Sequence, residues 1–248
     1  PDFFNSGIYL NGACQWYPED LLSIKNNRSY SNNKGLVAFK TELKVPKDDL
    51  TTIIEEQSQV STKLDNVLSV NYVWEIFDIL NKSISRDFNL LNISKQGTVH
   101  PSCTFVNDEN IIINKNVEIS AGVVLDATSG PIIIDEKCFI DIGSLIKGPV
   151  YIGKGTQINS GTKLNGSVSI GPYCKIGGEV EDSIIQGFSN KQHDGFLGHS
   201  YIGEWVNLGA STNTSDLKNN YSNVRIYMDK ENYVDTGKMF VGSIIGDF

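Results

Sequence analysis

Isoleucine or leucine recurs at every sixth position through the middle of the chain: Ile134, Ile140, Ile146, Ile152, Ile158, Leu164, Ile170 and Ile176. Four positions after each stands a small or β-branched residue: Cys138, Ser144, Val150, Thr156, Thr162, Val168, Cys174 and Val180. A period of six fits neither a helix at 3.6 residues per turn nor a two-sided strand. It fits a parallel β-helix of hexapeptide repeats, in which each hexad is one flat side of a triangular coil. The aliphatic side chain points into the prism and the small residue fills the corner behind it. Three hexads close a coil, so residues about 18 apart stack at the inter-strand spacing of ~4.8 Å. The fold class expected is mainly β.

Composition narrows the function classes. A formal charge of −8 with no basic run argues against non-specific nucleic-acid binding. No apolar stretch approaches the ~20 residues of a membrane span, and the start carries no signal-peptide pattern. Cys138 and Cys174 fall on one corner line two coils apart, near 10 Å at ~4.8 Å per coil and too far for a disulfide. They read as reduced core fillers, which points to the cytoplasm.

Residues 1–98 differ in texture from the rest. Ser6–Gly12 and Gly35–Leu43 read as strands, and Lys47–Gln57 and Val73–Ile84 as helices. This mixed α/β stretch holds no glycine-rich phosphate loop and is small for a domain with its own core, so it reads as part of a domain or a cap. The coil begins at Val99 and fills residues 99–248. Ile113, Ile119 and Leu125 start it, and residues 126–133 insert three extra positions. After Ile176 the hexads resume only at Ile202 and Leu208, so residues 177–201 read as an ejected loop. Ile245–Phe248 stops in mid-hexad, as a piece of a longer protein would.

The chemistry-bearing residues gather around that break. His199 is the first candidate base, because an imidazole suits removal of a proton from an amine attacking an acyl group. Gly209, Ala210 and Ser211 let backbone N–H groups approach a ligand, and Asn207 adds an amide. Lys191 and Lys218 flank them as cations for a phosphate. The bland alternative is a loop histidine beside structural glycines. His193, six residues before His199, raises a zinc reading, but whole-coil spacing puts Lys175, Gln157, Glu181 and Lys163 at the positions where a third imidazole is needed. No metal site is expected.

The hexads followed by NKQHDGFLGHSYIGEWVNLGASTNTSDLKNNYSNVR resemble the acyltransferase half of sugar nucleotidyltransferase/acetyltransferase proteins. The subgroup is that of the sugar nucleotidyltransferases related to the bifunctional UDP-N-acetylglucosamine pyrophosphorylase/glucosamine-1-phosphate N-acetyltransferase. YLNG at 9–12 and WEIFDILNKSISRDFNLL at 74–91 look like the tail of its nucleotidyltransferase domain. The resemblance implies a left-handed β-helix that assembles as a homotrimer, with acetyl coenzyme A between adjacent prisms. It implies His199 as general base through Gly198-His199 and Tyr201-Ile202-Gly203, with His193 as the substitute because the tyrosine lies one position early. Asn207 and Ala210 match the V-N-x-G-A stretch that lines the site, and Ser211 stands where the family has glycine. The function implied is acyl transfer to an amino-sugar phosphate or nucleotide sugar. Sugar-1-phosphate nucleotidyl transfer, with Mg2+, belongs to a longer protein, and a nucleotidyltransferase whose β-helix only assembles the oligomer is the alternative. A triangular prism needs a second wall to enclose a long coenzyme, which again favours a trimer, with residues 187–200 at the subunit interface.

Overall fold

The computed structural model describes residues 3–248. Two compact units divide at Ile76/Phe77 rather than at 98/99. The helix Ile76–Leu90 is the reason for the difference. Its Asp78 pairs with Lys238, and Phe77 and Asp78 share a cleft with Met239 and Phe240, so from its second residue the helix goes with the β-helix.

The first unit is built on the antiparallel strands Gly7–Leu10, Gly35–Thr41 and Arg28–Asn32, to which Thr62–Lys63 adds in parallel. The helix Leu50–Gln59 follows a single 3-10 turn at Lys47–Asp49 and packs on the latter two antiparallel strands. Ile24, Tyr30, Val37 and Ala38 are buried together, with Cys14, Trp16 and Leu64 against them. The unit therefore has a core of its own, which the sequence reading did not credit to it.

The second unit is a parallel β-helix with three faces. Face A stacks Thr98–Val99, Glu118–Ile119, Phe139–Ile140, Gln157–Ile158, Lys175–Ile176 and Asn190–Lys191. Face B runs from Thr104–Val106 to Phe196–Gly198 in six strands, and face C from Ile111–Ile113 to Ile244–Ile245 in seven. In the regular part the step is 18 residues, with Ile132 on Val150 and Val150 on Val168. The hexad aliphatics Ile134, Ile140, Ile146, Ile152, Ile158, Leu164, Ile170 and Ile176 are all buried in one cluster. Each such side chain stabilises the fold by about 1.5–3 kcal/mol relative to exposure.

The corners obey the same logic. Between faces C and A the buried column reads Val117, Cys138, Thr156, Cys174, Ser189 and Val206. Cys138 and Cys174 fill this column with Thr156 between them, and all four cysteines are free thiols. Burial pushes the Cys138 thiol up to about 12. On the outside of the corner Tyr173, Phe188 and Trp205 stack with ring centroids 5.6 and 4.7 Å apart.

Residues 177–201 are not ejected. They form a complete part of the coil, as Glu179–Glu181 pairs with Lys163–Asn165 and then with Phe196–Gly198. Ile184–Ile185 joins face C and Asn190–Lys191 joins face A. The steps here are shorter: Lys175 lies on Asn190, and Lys163 on Glu179. The period of six is lost because corners were trimmed, not because the coil stops. Val180, assigned to a corner by the hexad count, instead takes Leu164's inward place. The real excursion comes later: Tyr201 pairs with Ile244, and after Thr214 bridges to Leu197 the chain leaves the prism, with a hairpin at Arg225–Tyr227 and Tyr233–Asp235.

Candidate active site

The trimmed coils bring two groups of residues to two different corners. On corner AB the turn 192–195 lies directly beneath the turn 209–212. Asn190 bridges to Asn207, and the Ser211 N–H donates to the Asp194 carbonyl at 3.1 Å, so His193 sits one coil below Ala210. His193, Gly209, Ala210 and Ser211 are exposed, and Asn207 stands at the start of the same turn. Ser211 adopts a left-handed φ of 59°, like Gly143 and Gly161 on this corner. A serine there carries a modest backbone strain that glycine would not. Among the described residues the Ala210 N–H has no hydrogen-bond acceptor, which leaves it available to a ligand oxygen.

Beside this corner, face B presents an open groove of about 360 Å³ lined by Lys163, Glu179, Asp194, Phe196 and Asn213 with three glycines. Lys163 and Glu179 are register partners, and Phe196 follows on Glu179 in the next coil. The sequence reading missed these residues as site candidates. Their signal was the outward position next to Gly178 and Gly195, which only the true register reveals.

Lys191 is not a solvated cation at the rim. It replaces an aliphatic residue in the inward column of face A, stacked on Ile176, and is only 3% exposed. Its ammonium donates to the Gly177 carbonyl at 2.8 Å and the His193 carbonyl at 2.9 Å. Burial pushes its pKa down, and the Asp194 carboxylate opposes that shift.

His199 lies on corner BC, at the opposite end of Phe196–Gly198 from His193. Its Nδ1 is 2.7 Å from Asp216 Oδ2 and its Nε2 is 3.6 Å from Asp182 Oδ2. The ring stacks on Phe240 at 5.2 Å. Asp182 and His199 both hold left-handed φ values, 41° and 43°, in a residue class that tolerates them. Burial, then the neighbouring Asp182, raises the Glu181 carboxyl above its ordinary range. The residue below His199 is Asp182 rather than the Glu181 that an 18-residue step predicts, because that coil is one residue short. Within one chain His199 therefore does not share a corner with Ala210.

The other expected contacts disperse. Tyr201 is on face C between Ile184 and Ile244. The Lys218 ammonium donates to Asn223 within its own loop. Phe188 and Phe196, both within residues 187–200, occupy corner CA and face B. Among the described residues no group of three or more metal-ligating side chains comes together, and no helix is long and apolar enough to cross a membrane.

Residues 4–96 match the family described as sugar nucleotidyl transferase. The bifunctional protein GlmU of Synechococcus elongatus is 26% identical over 233 residues, covering 86% of this chain and 47% of that protein. The chain is related to the bifunctional GlmU proteins. GlmU of Bartonella quintana is 23% identical over 203 residues, covering 78% of this chain and 44% of that one. The chain thus spans about half the length of the GlmU relatives it matches. The acetyltransferase domain of PglB from Neisseria gonorrhoeae, at 13% identity and a TM-score of 0.28 over 66% of this chain and 73% of that one, adds nothing to the coil seen directly.

Proposed function

We propose that the β-helix transfers an acyl group from acetyl coenzyme A to an amino-sugar phosphate or nucleotide sugar at corner AB. The observation that carries the reading is the stacking of His193 beneath the unengaged Ala210 N–H. A base must reach the attacking amine and an oxyanion donor the carbonyl it attacks, and a single inter-coil step of ~4.8 Å satisfies that. The amine nitrogen attacks the thioester carbonyl while His193 takes the amine proton. The Ala210 N–H holds the developing oxyanion. The C–S bond then breaks and the proton passes to the departing thiolate, giving the amide and free coenzyme A. Lys163 is the cation for the sugar phosphate. This moves the base from His199 to His193, since His199 has one nitrogen on Asp216 and the other facing Asp182.

The open groove has one wall in a single chain, and a neighbouring prism supplies the second in a homotrimer. Coenzyme A release with glucosamine 1-phosphate as acceptor tests the assignment. His193→Ala is expected to lower the rate about 10²–10⁴-fold, with His199→Ala close to wild type. The reverse pattern returns the base to His199, and indifference to both removes acyl transfer. Light scattering tests the trimer, which a fully active monomer would exclude.

The family match over residues 4–96 favours a second reading, sugar-1-phosphate nucleotidyl transfer with a β-helix that serves assembly. Pyrophosphate release without coenzyme A, in the presence of Mg2+, distinguishes it. The described residues bring together no group of three or more metal-ligating side chains for that ion.

A further inference from the structure

We propose that Lys191 is the positioning residue of corner AB: its buried ammonium fixes the turn that carries His193 beneath Ala210. This rests on His193 being the base. The inward columns of the coil are otherwise aliphatic at this position, with Ile119, Ile140, Ile158 and Ile176 preceding Lys191 on face A. A lysine there is costly unless its charge is hydrogen-bonded, and both acceptors it finds are backbone carbonyls of the corner itself.

The corner column shows why the ammonium fits. It reads Val123, Ser144 and Thr162 in the earlier coils, then Gly178 and Gly195, then Thr212. The two glycines leave unfilled the space that a side chain occupies elsewhere, and the ammonium enters it. A Cβ on Gly178 would lie 2.9 Å from Lys191 Nζ, and also 2.7 Å from the Gly195 carbonyl oxygen. Corner filler and aliphatic have thus been exchanged for one cation and two glycines. The exchange ties the coil below, through Gly177, to the turn that bears His193. An apolar side chain at 191 would pack the prism and leave both carbonyls without that link.

The turn is also read by three N–H groups that donate to its carbonyls: Gly177 to Lys191, Glu179 to Gly195, and Ser211 to Asp194. In a Lys191→Met variant, hydrogen exchange at these amides is expected to rise about tenfold, with Leu145 and Gln157 unchanged. Turnover of acetyl coenzyme A with glucosamine 1-phosphate is expected to fall about 10²-fold in kcat with little change in KM, since a displaced base misaligns the reacting atoms without removing a binding contact. A folded variant with unchanged exchange at the three amides overturns the proposal, as does an unchanged kcat in an active enzyme. Acetylation of the unaltered protein by an N-hydroxysuccinimide ester, read by mass spectrometry, covers a variant that fails to fold. Lys191 is expected to be modified far more slowly than the exposed Lys175, and equal rates also overturn the proposal. Absence of turnover in the unaltered protein sinks the acyltransfer reading while exchange and labelling still decide the role of Lys191 in the turn.

Discussion

Between Ile132 and Ile176 the coil advances 18 residues at each step, whereas from Ile176 to Asn207 it advances 15 to 17. The regular coils close their corners with Val, Ser, Thr and Cys and expose little chemistry. On corner AB the trimmed coils close theirs with Gly177, Gly178, Gly195 and a buried ammonium. His193, Glu179 and Asp194 all lie in the trimmed part, with Lys163 on its border. On corner AB the shortened turn is the one beneath His193, where Lys175 to Glu179 spans four residues; the turn that bears His193 spans six from Asn190 to Phe196, as Gln157 to Lys163 does.

Four substitutions break or sharpen that contrast. The largest effect is expected at the paired glycines of corner AB. Gly161→Ala and Gly178→Ala both force a side chain into a left-handed backbone, at φ 68° and 72°. Each therefore costs roughly 1–2 kcal/mol from conformation alone. A Cβ on Gly161 meets nothing within 4 Å, whereas one on Gly178 meets Gly195 and Lys191 below 3.0 Å. Urea denaturation should show Gly178→Ala to be worse by a further ~1–3 kcal/mol, the usual cost of overpacking. Equal losses would mean that the trimmed corner is no tighter than the regular one.

The next effect is local. His199 holds the excursion at both ends, since Asp216 meets its ring, Phe240 stacks on it and the Gly242 N–H donates to its carbonyl. His199→Ala should lower the opening free energy of residues 214–242 by about 1.5–3 kcal/mol, the range for a hydrogen bond to a charged group. Hydrogen exchange confined to that segment checks it; a global loss of protection would instead make His199 part of the prism's stability.

The smallest effect concerns pH. Burial raises the Glu181 carboxyl on folding, so the folded chain keeps a proton that the unfolded chain has released. Its contribution is present below the ordinary glutamate range and is lost as pH climbs through the raised value. Glu181→Gln should therefore gain stability relative to the parent as pH rises from the ordinary glutamate range through the raised value. A parallel pair of stability curves would place the carboxyl in solvent.

The hexad was legible because every sixth side chain meets the same environment, so one residue type recurs. Where the corners shorten, inward residues fall at Ile176, Val180, Ile185 and Lys191, and no fixed period joins them. The same shift hid the partner of His199, which is Asp182 below and Asp216 from the excursion. Lys191 was misread because a lysine between polar residues resembles a loop cation. Only the column beneath it shows an aliphatic site. His193 and Ala210 were both legible as candidates. Their stacking was not, since it depends on the 17-residue step from Asn190 to Asn207.

The excursion before the last rung sets an order of assembly. Ile184 pairs with Tyr201 after 17 residues, but Tyr201 pairs with Ile244 only after 43. Closing the longer loop adds about 0.8 kcal/mol of chain entropy, since that cost grows only as the logarithm of length. The thermodynamic burden is small, but the separation raises contact order at one place in an otherwise nearest-neighbour fold. The earlier rungs can zip one on another, each templated by the coil beneath it. The Ile244–Ile245 rung has to wait for a distant segment to return, and until it does the edge of face C at Tyr201–Ile202 stays open.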